Sequence, residues 1–73
     1  LVRERWEYQG EPGQLISLIP LGEVKGVTTE GLAFPLNHET LGLGYREGLS
    51  NYIQQNPVRV LVEEGVLAIF VIE

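Results

Sequence analysis

No stretch of this 73-residue chain keeps a 3.6-residue apolar period for even three turns, whereas a period of two recurs in short runs broken by Gly, Pro and Asn. That combination excludes a helical bundle and leaves strands. The most developed unit spans residues 26–51. Leu32, Phe34 and Leu36 share one parity, and Leu41, Leu43 and Tyr45 share one parity after the polar Asn37-His38-Glu39. The pattern predicts a β-hairpin with one buried face. Its flanks, Thr28-Thr29 and Ser50-Asn51, are small hydrogen-bonding side chains suited to holding a small polar ligand.

The remaining segments follow the same logic. Residues 1–8 place Val2, Trp6 and Tyr8 opposite Arg3, Arg5 and Glu7, as a half-exposed strand would. Gly10-Glu11-Pro12-Gly13 reads as a turn. Residues 15–19 are apolar on both faces except Ser17 and are expected deep in the fold. Pro20 is expected to end their ladder, and Leu21-Gly22-Glu23 to turn the chain. Residues 24–29 are β-branched at four of six positions, which favours a new strand, and Gly31 marks a bend after it. Arg46-Glu47-Gly48 is a turn into a strand over 49–53. Alternating Val58, Val60 and Val62 run into Glu63-Glu64-Gly65, a hairpin signal before 66–72. That last strand is apolar on both faces, so it must be central or covered by a partner. The expectation is one all-β domain over residues 1–73, an antiparallel β-sandwich or jelly-roll-like barrel of about seven or eight short strands.

Charge and composition narrow the function. The net charge is −5, and the five basic residues form no stripe, which argues against nucleic acid and favours a cationic or neutral ligand. No apolar run approaches the roughly 20 residues of a membrane helix, and Arg3, Glu4 and Arg5 interrupt any signal-peptide pattern over the first residues. The absence of cysteine fits a reducing compartment and removes thiolate metal sites. A soluble, cytoplasmic protein is expected. All ten acidic residues are Glu, whereas divalent-metal and phosphoryl-transfer sites usually draw on Asp. No catalytic residue and no metal site is expected within these residues. The chain opens on Leu1 in what already reads as a strand, so it reads as the tail of a longer protein.

Individual residues carry structural alternatives. The glycines at 42, 44 and 48 have the wrong spacing for a dinucleotide fingerprint and no helix after them, so they read as points of close approach. His38 has no second imidazole or thiolate beside it in sequence, and Glu63-Glu64 reads as a solvated turn pair. Trp6, Tyr8 and Tyr52 read as core or interface aromatics. Phe34 reads two ways: its parity favours the core, but Pro35 implies an edge, where an aromatic face is open to a planar or cationic ligand.

The ordered set Ser17-Leu18-Ile19-Pro20-Leu21, Gly26-Val27-Thr28-Thr29, Gly31-Leu32-Ala33-Phe34-Pro35-Leu36, Leu41, Gly44, Gly48-Leu49-Ser50-Asn51 and Gly65-Val66-Leu67 resembles the C-terminal domain of bacterial thiamine pyrophosphokinase. The resemblance covers Gly13 to the end. It implies a vitamin B1-binding β-sandwich in an enzyme that transfers diphosphate from ATP to thiamine, giving thiamine diphosphate and AMP. It also implies an N-terminal α/β domain, absent here, that binds ATP and Mg2+, and a homodimer with the active site between subunits. Carried over, Phe34 stacks on thiamine, Ser50 and Asn51 hydrogen-bond the aminopyrimidine or shape its pocket, and Thr29 and Gly31 line the same wall. The family usually has Tyr or Trp at the position of Phe34, and a basic residue at that of Ala33. The alternative is a non-catalytic β-sandwich module that binds another small molecule or serves assembly.

Overall fold

The computed structural model describes residues 1–42 and 49–72. Among these residues there are six strands and no helix: β1 (Arg5–Tyr8), β2 (Leu15–Glu30), β3 (Glu39–Leu41), β4 (Leu49–Tyr52), β5 (Val58–Leu61) and β6 (Glu64–Val71). All pairings are antiparallel. The all-β class is as the alternation predicts.

β2 organises the rest. Its first half pairs with β4 over Leu15 to Leu18 and with β6 from Ile16 to Leu21. Its second half pairs with β3 through Val24 and Val27, and with β5 through Thr28, Thr29 and Glu30. β1 completes the second sheet along β5. The long strand therefore bends from one sheet into the other, and the two sheets enclose one core. Ile16, Leu18 and Leu67 come from the first sheet, Val58 and Val60 from the second, with Leu41 and Ile53 between.

Joining 15–19 and 24–29 into one strand corrects two expectations. Pro20 does not end the ladder; it lies buried within β2, opposite Leu67. Both backbone polar groups of Leu67 bond to Val2, on the far edge of β6. Pro20 and Leu67 thus form a non-hydrogen-bonded pair, and the missing N–H of proline breaks no bond to β6. Nor do residues 15–19 lie deep on both faces: Ile16 and Leu18 are fully buried, whereas Leu15 is 54% exposed. Further along, Gly26 has φ 65° where the register with β3 slips. This bulge moves the inward set from even numbers (Ile16, Leu18, Val24) to odd ones (Val27, Thr29).

The expected hairpin from 32–36 to 41–45 is also revised. Residues 32–36 form no strand, and the observed pairing joins β2 to the short β3. Leu32 and Leu36 are buried as their parity predicts, but Phe34 between them is 62% exposed. Leu43, Tyr45, Gly44 and the Arg46-Glu47-Gly48 turn lie outside the described residues. Glu63-Glu64-Gly65 turns the chain, but β5 and β6 do not pair with each other. The turn carries the chain from one sheet to the other, with Val62 buried at the corner. Among the described residues β6 is not central: it pairs with β2 on one side and meets only a bridge from Val2 on the other.

Candidate functional site

The segment after β2 runs beside β4. A bridge joins Leu32 to Ile53, and the Ala33 N–H donates to the Tyr52 carbonyl at 3.0 Å. Backbone pairing then gives way to a side chain. Asn51 Oδ1 accepts the Phe34 N–H at 3.0 Å, and Asn51 Nδ2 donates to the Phe34 carbonyl at 2.7 Å. The same Oδ1 accepts the Tyr52 N–H at 3.0 Å. Beyond Pro35, Thr29 takes over. Its Oγ1 accepts the Leu36 N–H at 2.8 Å, and its own N–H donates to the Leu36 carbonyl at 3.0 Å. With Ala33, Phe34 and Leu36 fastened in this way, the Phe34 ring stands on the surface.

Its neighbour there is Tyr52, half-exposed, with ring centroids 5.8 Å apart and planes at 88°. This edge-to-face arrangement is favoured by the ring quadrupoles. Strand alternation in β4 points Asn51 inward and Ser50 and Tyr52 outward. Ser50 is exposed and lies opposite Ser17 of β2, which in turn lies opposite Phe70 of β6. The outer face of this sheet therefore carries two serine hydroxyls, the aromatic pair, and exposed Leu15, Leu21 and Phe70. Residues 15–21 and 66–72 contain no charge.

The positions anticipated from sequence therefore separate into two layers. Phe34 and Ser50 lie on the surface. Asn51 and Thr29 are buried, with their polar atoms bonded to the backbone beneath Phe34. Gly31 has φ 86°, and its carbonyl accepts the N–H groups of Gln54 and Gln55 at 2.8 and 3.1 Å. A methyl group there would overlap the Gln55 carbonyl and lie 2.8 Å from that of Pro57, so glycine is needed for this close approach. Sequence reasoning grouped Tyr52 with core or interface aromatics and did not single out Ser17 or Phe70. The signal available for Tyr52 was its shared parity with Ser50.

Charge gathers elsewhere. On the second sheet the register places Arg59 between Glu7 and Glu30. Its guanidinium donates to Glu7 at 2.7 Å and Glu30 at 3.4 Å, all three side chains being exposed. The Glu7 hydrogen bond, foremost, raises the Arg59 pKa above its ordinary value. His38 Nδ1 lies 3.3 Å from Glu63 Oε2 in solvent. Among the described residues, no three His, Cys, Asp or Glu side chains converge as a metal would require. Nor is any helix of the described residues long and apolar enough to cross a membrane.

Fold and surface together define a small antiparallel β-sandwich domain that presents a backbone-pinned aromatic on an uncharged face. More specifically, the chain belongs to the family described as thiamin pyrophosphokinase, vitamin B1 binding domain, which matches residues 6–67. Among solved structures, it superposes on thiamin pyrophosphokinase from Geobacillus thermodenitrificans with a TM-score of 0.88 and 20% identity. That match covers 97% of this chain and 34% of the other. Thiamin pyrophosphokinase from Bacillus subtilis gives 0.80 and 22%, covering 94% of this chain and 33% of that one. At these identities the structural likeness establishes the fold. The chain spans about a third of the length of either protein. No curated protein is a significant sequence match.

Proposed function

We propose that this domain binds thiamine for an enzyme that transfers diphosphate from ATP to the thiamine hydroxyl, giving thiamine diphosphate and AMP. The observation that carries the reading is Phe34, an aromatic 62% exposed on a backbone held by buried side chains in a chain of the vitamin B1 binding family. An exposed ring in a fixed position is preorganised to stack on a flat cationic ligand, an interaction worth about 0.5–2 kcal/mol. The negative net charge of the chain favours such a ligand. The exposed Ser50 hydroxyl is free to turn toward the aminopyrimidine. Asn51, Thr29 and Gly31 shape the wall behind the ring.

In this scheme ATP and Mg2+ bind to another domain, and no step of the chemistry passes through a side chain described here. The contribution of this domain is orientation: it holds the hydroxyl in line with the β-phosphorus of ATP, which lowers the barrier through proximity alone. The second subunit of a homodimer completes the site, and the uncharged outer face with exposed Leu15, Leu21 and Phe70 suits such an assembly. The enzyme acts in the cytoplasm.

The test is Phe34→Ala in the full-length protein. The KM for thiamine should rise far more than that for ATP, and equal effects on both would sink the stacking role. A non-catalytic assembly module is the second reading, favoured by the same apolar outer face. An upstream α/β domain with an Asp-rich nucleotide site decides for the enzyme, and its absence from the full-length sequence decides for the module.

A further inference from the structure

Among the described residues, two polar side chains are buried, Thr29 and Asn51, at 4% and 3% exposure. Both direct their hydrogen bonds at one short segment, on either side of Pro35. Asn51 pairs with Phe34 as a neighbouring strand would, engaging its N–H and its carbonyl together. Its Oδ1 also holds the N–H of Tyr52, the residue whose ring meets that of Phe34 edge-on. One side-chain amide therefore fixes the backbone from which both rings of the exposed pair project. Asn51 itself is buried, and its three bonds to this backbone are part-buried.

We infer that Asn51 is a positioning residue for thiamine binding: it acts through the rings of Phe34 and Tyr52 and does not touch the ligand. Tyr52 is accordingly the second aromatic of the site. The inference rests on the thiamine-binding reading and deepens it. Bonds to both backbone groups of Phe34 fix the direction in which its side chain leaves the chain, so less freedom is lost when a ligand stacks on the ring. Releasing the clamp returns that entropy to the free protein and weakens binding. The inward turn of Asn51 and the outward turn of Ser50 follow from strand alternation, so the roles of the two adjacent residues differ.

The experiment is a double-mutant cycle in the full-length protein, with Asn51→Ala, Phe34→Ala and the pair. The readouts are the KM for thiamine, the KM for ATP and the Tm. Asn51→Ala should raise the KM for thiamine roughly three- to tenfold, the range expected for freeing one side chain, and leave that for ATP within about twofold. In the Phe34→Ala background the same change should add only a residual factor to the KM for thiamine, the part that acts through Tyr52, while still lowering Tm. If it adds its full factor there, Asn51 contacts the ligand itself and the positioning role is refuted. If both KM values move together, the residue supports the fold alone and the inference is equally refuted. If Phe34→Ala by itself leaves the KM for thiamine unchanged, the failure belongs to the stacking reading. Should Asn51→Ala not fold, Pro35→Gly loosens the same segment from its exposed side. It should raise the KM for thiamine at least about twofold in wild type and not in Phe34→Ala. An unchanged value in wild type overturns the inference.

Discussion

Two adjacent threonines on β2 offer a controlled measure of what burial does to a single hydrogen bond. Thr29 Oγ1 accepts the N–H of Leu36 at 2.8 Å, and both residues are buried. Thr28 Oγ1 accepts the N–H of His38 at 3.0 Å in an exposed setting. Valine preserves the shape and β-branching of threonine and removes only the hydroxyl. At position 29 the Leu36 N–H loses its acceptor where water cannot follow, a loss of about 1–3 kcal/mol. The added apolar carbon recovers about 0.8 kcal/mol, so the net destabilisation of Thr29→Val is about 0.2–2.2 kcal/mol. A domain of this size has roughly 4–11 kcal/mol of stability, and each kcal/mol moves Tm by about 4–8 °C. Thr29→Val should therefore melt about 1–18 °C below wild type. Thr28→Val should change stability by less than about 0.5 kcal/mol, because water replaces the lost acceptor. Circular dichroism melts of the three proteins decide the matter. If Thr29→Val melts no lower than Thr28→Val, the buried Thr29 bond does not hold the segment as described.

Other substitutions test the rest of the fold. Leu18→Ala, at a fully buried position, should lose about 2–5 kcal/mol in urea titrations, whereas Leu15→Ala three residues earlier, half-exposed, should lose less than about 1 kcal/mol. Gly31→Ala forces a methyl group against the Gln55 and Pro57 carbonyls at φ 86° and should cost about 1–3 kcal/mol of stability, measured the same way. Phe34→Ala, in contrast, should leave Tm within a few degrees of wild type, since the ring lies mostly in solvent. A large drop would place that ring in the core. The 73-residue chain alone should convert no thiamine to its diphosphate when supplied with ATP and magnesium; product in a chromatographic assay would overturn the division of labour.

The all-β class was legible because alternation is local, and every strand carries its own copy of the signal. What was not legible depended on distant residues. Leu32 and Leu36 have the parity of a strand and are buried accordingly, but nothing near Phe34 announces that Asn51, seventeen residues on, holds its backbone. Pro20 reads as a terminator because proline cannot donate. It is tolerated because Val2 engages the backbone groups of Leu67 from the other side, fixing the pair as non-hydrogen-bonded. Glu63-Glu64-Gly65 has the composition of a hairpin turn, yet composition does not say whether the strands it joins lie side by side. Phe34 and Ser50 were recognisable as surface ligand candidates through family resemblance. The inward turn of Asn51 and Thr29 is set by the register of β4 and β2 and by partners distant in sequence.

The sharing of β2 between the sheets also shapes how this domain comes apart. In most sandwiches one sheet can fray while the other keeps its ladders, and amide exchange then reports separate openings. Here the first half of β2 holds β4 and β6, and the second half holds β3 and β5. An opening that takes β2 out removes partners from both sheets at once. Its central amides should therefore exchange only through the global transition, together with those of β5 and β6. Thr29 lies on that strand and Asn51 on its neighbour, so the display of Phe34 belongs to the same cooperative unit. A ligand that grips the ring would slow exchange across the whole domain and not merely at its own contacts.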